Sequence, residues 1–495
     1  MIEAVHYITV VFREPLLIVL VALGTFTGVY VGAIPGLTGV MTVSLLVSFT
    51  ISWSMNNALA LMLGVFVGVV FGGSRSAILL NIPGAPSAIA TGFDGYPLAQ
   101  KGQAGKAMGI ATTQSFIGSI LGVIALAFGA PLMGKFAQSF RSIDYVLLAI
   151  IGLMTVGSLG SKTLKHGLIA GALGVFIGCM GIDPQTAVRR FTFGLTYLNS
   201  GVDFIVAMIG LFGAAEALFQ LTQLHMGKVK QQVNRIIPSW RTTLKYLPLT
   251  IRSAVVGILV GALPGAGGDI AALLSYDQAK RYTRQPSAPF GQGALEGIIA
   301  PETANNAAVG GAFIPMLTLG IPGDAITAVL LSALSVHGLR PGPYMIRSAP
   351  DIFWLIVICL VLASFFLLLF GLSGIRLFSK IVETPKGILM PIILVLSVVG
   401  AFAIRNSLYD ILWMFLFAII GYFFKRYDYP VGPLVLGIIL CPLLENNYRR
   451  GIMLTGSLPG LFFSIFSSML SLLLFLLIIF LTVSQTKRYK KWREQ

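Results

Sequence analysis

Ser74, Arg75 and Asn81 in FGGSRSAILLNIPG, and Glu302, Asn305, Asn306 and Asp324 in EGIIAPETANNAAVGGAFIPMLTLGIPGDA, are polar side chains in otherwise apolar stretches, as is Asp269 in GALPGAGGDIAALLSY. Their types point to ligand binding rather than to covalent chemistry. A guanidinium such as Arg75 presents two parallel donors to a carboxylate, or it forms an ion pair with an aspartate such as Asp269 or Asp324. Aspartates, the Thr327 hydroxyl and backbone carbonyls are hard oxygen ligands for a small cation. Asn305 and Asn306 suit either a ligand or hydrogen bonds between helices. A charge at membrane depth costs about 2.5–3.5 kcal/mol, so each charged group here needs a partner or water.

The elements that would position these groups are broken helices. GAIPGLTG at Gly32–Gly39 is matched by GALPGAGG at Gly261–Gly268, and NIPGAPSAIAT from Asn81 is matched by GIPGDAITAVL from Gly320. The two motifs occur in the same order in each half, the signature of an internal repeat. A Pro-Gly break frees backbone N–H and C=O groups from the helical ladder, which lipid does not tolerate but a polar cavity does. Half-helix N-termini at such breaks present partial positive charge to an anion, and the freed carbonyls hold a cation. The candidate substrate-binding residues are therefore Pro35, Gly36, Thr38, Ser74, Arg75, Asn81, Pro83, Gly84, Pro264, Gly265, Gly267, Asn305, Asn306, Pro322 and Gly323. The candidate coupling-ion ligands are Asp269, Asp324 and Thr327. No catalytic residue, resident metal or organic cofactor is expected.

Composition sets the medium. Of 495 residues, 56% are hydrophobic and 11% charged, and apolar runs recur at the roughly 20-residue length that a bilayer requires. The reading is an all-α polytopic membrane protein of about a dozen helices, with the first apolar run retained rather than cleaved. The net charge of +16 is first a topology signal and does not imply nucleic acid as a partner. The segment His225–Arg252 carries six bases and no acid and, with the KRYKKWREQ tail, is expected on the cytoplasmic side. Counting crossings from these anchors gives the two halves opposite orientation: a first repeat over 15–226, a basic linker over 227–252 and a second repeat over 253–460. An extra C-terminal helix and tail fill 461–495. This is the inverted-repeat plan of secondary transporters.

GGSRSAILLNIPGAPSAIATGFDGYPLAQKGQAGKAMG, GALPGAGGDIAALLSYDQAKR, APETANNAAVGGAFIPMLTLGIPGDAITAVLLSALSVHGLRPGP and GPLVLGIILCPLLENNYRR resemble the large membrane subunit of the tripartite tricarboxylate transporters, in the family's order from about residue 15 to about residue 460. The resemblance implies a multi-pass permease of a bacterial or archaeal cytoplasmic (inner) membrane that takes up carboxylates by symport. Na⁺ is the expected coupling ion and H⁺ the alternative. It also implies a small four-helix membrane subunit and an extracytoplasmic solute-binding protein as partners. Arg75, Asp269 and Asp324 depart from the family pattern, which has an aliphatic, a hydroxyl-bearing and a small residue there.

Other features read more simply. Cys179, Cys359 and Cys441 lie in apolar runs without ligand or disulfide spacing and read as packing residues. Gly64, Gly68 and Gly72 read as a helix-packing face, and Asp203 and Glu216 as capping and packing groups. The four histidines share no ligand spacing, though His337 is a candidate proton relay. No P-loop, zinc motif or nucleophile–base set argues for an ATP-driven pump or a membrane enzyme. A passive organic-anion channel is the alternative to a carrier.

Overall fold

The computed structural model describes residues 7, 11–34, 37–159, 164–183, 186–222, 240–374 and 386–493. Residues 227–239 of the basic linker, together with Lys162, Arg376, Lys380, Pro35 and Gly36, lie outside the described residues.

Two sets of helices follow one another in the same order. The first set is α1 (Pro15–Ala33), α2 (Gly39–Thr50), α3 (Met55–Leu80), α4 (Ala88–Leu98), α5 (Ala104–Ala137), α6 (Ser142–Leu159), α7 (Leu164–Gly178) and α8 (Phe204–Leu221). The second is α9 (Leu247–Gly261), α10 (Gly267–Tyr282), α11 (Glu296–Leu319), α12 (Ala325–Val336), α13 (Pro350–Ser373), α14 (Lys386–Arg405), α15 (Leu408–Arg426) and α16 (Val431–Thr455). Among the described residues, 7 helical stretches are long and apolar enough to cross a bilayer. The chain is an all-α polytopic membrane protein. Its final apolar run forms α17 (Leu458–Phe463) and α18 (Met469–Arg493), bent by 103° where Ser468 adopts an extended conformation. The described strands are a two-residue pair, Gly181–Ile182 with Arg189–Arg190.

Packing is reciprocal between the sets. Helix α1 lies on α3 as α9 lies on α11, α5 packs on α11 as α13 packs on α3, and α7 meets α16 as α8 meets α15. The helices that follow the IPG breaks cross over: α4 reaches α10 and α11, while α12 reaches α2 and α3.

Glycine makes the closest of these contacts possible. A Cβ on Gly64, Gly68 or Gly72 would stand 2.5–2.6 Å from the carbonyl oxygens of Val21, Thr25 and Val29. Gly257 and Gly261 approach Ala304 and Ala308 in the same way in the second set. Such small-residue seams let helices associate where lipid removes the hydrophobic drive.

Candidate functional site

The breaks have a local cause that the two repeats share. Helix α3 ends at Asn81 and α11 ends at Gly320, both left-handed, with φ of 57° and 70°. The N–H of the following isoleucine reaches back to the helix, Ile82 to the Ser76 carbonyl and Ile321 to the Pro315 carbonyl. Proline then prevents continuation, as it commonly does just beyond such caps. After each proline the glycine is pressed against the other break of its own repeat. A Cβ on Gly84 would lie 2.4 Å from the Gly32 oxygen, and one on Gly323 would lie 2.4 Å from the Gly261 oxygen.

Each repeat thus joins its two breaks, and the crossing helices join the repeats. The result is a cavity of about 520 Å³. Its walls include Thr38 and Gly39 after the first break, Gly84–Ser87 after the second, Gly265–Ile270 after the third and Asp324–Ile326 after the fourth. Asn305 lines it from α11, where its Nδ2 donates to the Val70 carbonyl at 3.0 Å. Pro264, Pro322 and Gly323 support these walls without facing the cavity, and neither Asn81 nor Pro83 lines it.

The helix N-termini that open on the cavity are unequally occupied. The Thr38 hydroxyl accepts the Met41 N–H at the head of α2. Asp324 caps α12 in a capping box, accepting the Thr327 N–H at 2.7 Å while the Thr327 hydroxyl accepts the Asp324 N–H at 2.9 Å. Asp269, on α10, crosses to the other repeat and accepts the Ser87 N–H at 2.9 Å at the head of α4. Helix α10 itself starts at Gly267 without a side-chain cap, and Gly265 and Gly267 have φ values of 72° and 58°, a left-handed conformation that favours glycine. Backbone N–H groups at a helix start favour a nearby anion.

Ser74, Arg75 and Asn306 lie elsewhere, in a buried polar layer beside the cavity. The Arg75 Nη2 donates to the Thr112 hydroxyl at 2.8 Å and to the Gly371 carbonyl at 2.6 Å, and its guanidinium lies 4.4 Å from the Phe71 ring centre. Glu302 is the acid in its electrostatic reach. No ion pair joins Arg75 to Asp269 or Asp324 among the described residues. Glu302 accepts from Thr91 at 2.6 Å and from Ser115 at 2.7 Å. Asn306 donates to the Glu302 carbonyl one turn back, and Ser74 to the Phe71 carbonyl. This layer ties α3, α4, α5, α11 and α13 together.

Several participants were not among the residues singled out from the sequence. Ser87, Phe212 and the Pro430–Leu436 start of α16 line the cavity, yet Pro430 and Pro433 belong to neither repeated motif. Asp94, buried on α4, accepts the N–H groups of Gly291, Gly293 and Ala294 and the Tyr276 hydroxyl, all from the second repeat. Cys179 and Cys441, read above as unrelated packing residues, bring their sulfurs to 3.1 Å across the α7–α16 contact, with Glu445 beside them. Their separation of 262 residues hid the pairing. Asp203 caps α8 through the Ile205 and Val206 N–H groups, and Glu216 pairs with Lys425.

A polytopic helical protein whose duplicated helix breaks line one cavity has the architecture of a membrane transport protein. Residues 18–436 match the tripartite tricarboxylate transporter TctA family, and the chain belongs to it. It is accordingly a membrane subunit for carboxylate transport. Over 393 residues it is 35% identical to a 52.8 kDa protein from the TAR-I ttuC' 3' region of Agrobacterium vitis, covering 78% of this chain and 77% of that one. A second Agrobacterium vitis protein, from the TAR-II ttuC' 3' region, is 38% identical over 199 residues, covering 40% of this chain and 82% of that one. No solved structure matches.

Proposed function

We propose that this chain is the permease of an ion-gradient-driven uptake system, a symporter that receives a carboxylate from an extracytoplasmic binding protein. It works with a small four-helix membrane subunit in a bacterial or archaeal cytoplasmic membrane. The observation that carries this reading is the meeting of breaks from both repeats at one cavity, where α10 begins without a side-chain cap. A cavity built jointly by two repeats is where rocking one repeat against the other alternates access. The substrate carboxylate sits on the N–H groups at the start of α10, between Thr38 and Asn305. Na⁺ is the coupling ion. Asp324 and its Thr327 hydroxyl supply hard oxygens for it, beside freed carbonyls at the breaks.

The test is uptake into proteoliposomes holding the permease and its small subunit, with the binding protein outside. Uptake should accumulate substrate against its gradient only when a Na⁺ gradient is imposed. Accumulation that follows an imposed pH gradient instead would assign the coupling to H⁺, and flux that merely equilibrates would make the protein a channel.

A further inference from the structure

We propose that Cys179, Cys441 and Glu445 hold one thiophilic divalent cation of the Zn²⁺ class, in a site that clamps α7 to α16. The proposal is independent of the carboxylate-uptake reading. It starts from a helix stripe: Cys441, Glu445 and Arg449 recur every four residues and so share one face of α16. Cys179 follows the last residue of α7 and meets that face because glycine lets the two helices touch. A Cβ on Gly178 would lie 2.6 Å from the Cys441 Cβ, and one on Gly174 would run into the Leu434 carbonyl oxygen. The two sulfurs stand 3.1 Å apart, and with a Glu445 carboxylate oxygen they make three ligand atoms within 4.8 Å of one another. No other such group of histidine, cysteine and acidic side chains occurs among the described residues.

Ligand types and surroundings select the ion. Thiolates favour Zn²⁺ and its heavier relative Cd²⁺ over Mg²⁺ or Ca²⁺, and two thiolates with one carboxylate leave the fourth tetrahedral position to water. Two thiolates on one such ion stand roughly 3.8 Å apart, so a small parting of the sulfurs admits it. Glu445 is held in place by its own partners: its Oε1 accepts from the Arg190 Nη1 and from the Arg449 Nη2 at 2.7 Å, and Arg449 also pairs with Asp183 at 2.6 Å. Outer partners of this kind orient a ligating carboxylate. The charges close as well. Two arginines balance Glu445 and Asp183, so the cation is balanced by the two thiolates, whose protons pass to water on binding. Cys179 and Glu445 are half-buried, which leaves a way in, whereas Cys441 is buried. A disulfide needs only the sulfurs, whereas the oriented carboxylate supplies the third ligand of a cation.

The experiment titrates Cd²⁺ into the full-length protein, purified without a metal-binding tag in a phosphine reductant and stripped with a chelator. Bound metal is counted by elemental mass spectrometry, and the thiolate-to-metal charge-transfer band is followed in the ultraviolet. One Cd²⁺ should bind per chain with the band, Zn²⁺ should displace it, and excess Mg²⁺ or Ca²⁺ should not. Cys179→Ser and Cys441→Ser should each weaken binding by about 100-fold or more, at or beyond the upper end of what loss of an outer partner causes, and Glu445→Gln should weaken it by about tenfold or more while the band remains. Cys359→Ser, a buried cysteine outside the cluster, should bind as the wild type does. A further readout needs no variant. In the metal-free protein, glutathione disulfide should take up two electrons from the pair, forming the Cys179–Cys441 bond and two glutathione thiols, and saturating Cd²⁺ should block that reaction. No bound Cd²⁺, binding unchanged in either serine variant or in Glu445→Gln, or oxidation that proceeds at saturating Cd²⁺ would each overturn the proposal.

Discussion

Replacing Gly84 or Gly323 by alanine tests whether the two breaks of each repeat are locked together. Each new methyl would arrive 2.4 Å from a backbone carbonyl oxygen, that of Gly32 in one repeat and that of Gly261 in the other. It would also lie 2.8 Å from the Gly73 Cα in the first case and 2.5 Å from the Ala312 Cα in the second. These separations fall about 1 Å inside ordinary van der Waals contact, and the opposing atoms are helix backbone that cannot rotate away. Overpacking of this kind costs about 1–3 kcal/mol. The two variants should lose similar amounts, because the two environments are alike. Gly342→Ala, where nothing lies within 4 Å of the new methyl, is the control. Thermal unfolding of the detergent-purified protein would show both break variants melting well below the control, and proteoliposome uptake should fall in both. If Gly84→Ala and Gly323→Ala melt with the control, the contact between breaks is wrong. A loss in one alone would refute the equivalence of the repeats.

Other expectations follow from single groups. Asp94→Ala removes the acceptor for three backbone N–H groups and the Tyr276 hydroxyl, so it should destabilise by several kcal/mol and more than Tyr276→Phe does; equal melting temperatures would contradict that. Glu302→Ala leaves the Thr91 and Ser115 hydroxyls and Arg75 without their acid at a buried place, at a cost of about 3–5 kcal/mol, while Glu302→Gln should recover much of the stability. An alanine variant as stable as wild type would show that the layer is hydrated. Oxidation of the purified protein by glutathione disulfide should link Cys179 to Cys441, detectable as a cross-linked peptide by mass spectrometry and absent in Cys441→Ser. Recovery of both thiols unreacted would contradict the close approach.

The sequence made the breaks legible because they are local events. A left-handed residue, an isoleucine and a proline are enough to end α3 and α11, and these residues recur in the same order in both halves. Long-range partners were not legible. Nothing in FGGSRSAILL says that Arg75 will meet Thr112 and Gly371 rather than an aspartate, because a guanidinium can be satisfied by any cluster of oxygens. Ser87 contributes its backbone N–H to the Asp269 contact, so its side-chain type carried no signal there. Pro430 and Pro433 lie outside the repeated Pro-Gly motifs, and the packing of α16 beside α7 accompanies their place at the cavity. The acidity of Asp269 and Asp324 was visible at once, but its role as a pair of helix caps depended on which helix start each carboxylate reached.

In the proposed permease, the breaks of both repeats wall the cavity through which the carboxylate passes. The direct measurement places one cysteine on each repeat at the cavity wall, Ala85→Cys and Ile270→Cys, in a background lacking the three native cysteines. A bifunctional thiol reagent short enough to span the cavity should join the two, and uptake of the probe carried by the wild type should stop on cross-linking and return with a cleavable linker on reduction. Each single cysteine should remain uncross-linked. Failure of the pair to cross-link would show that the two walls do not face one cavity, and full uptake by the cross-linked protein would show that the carboxylate does not pass between them.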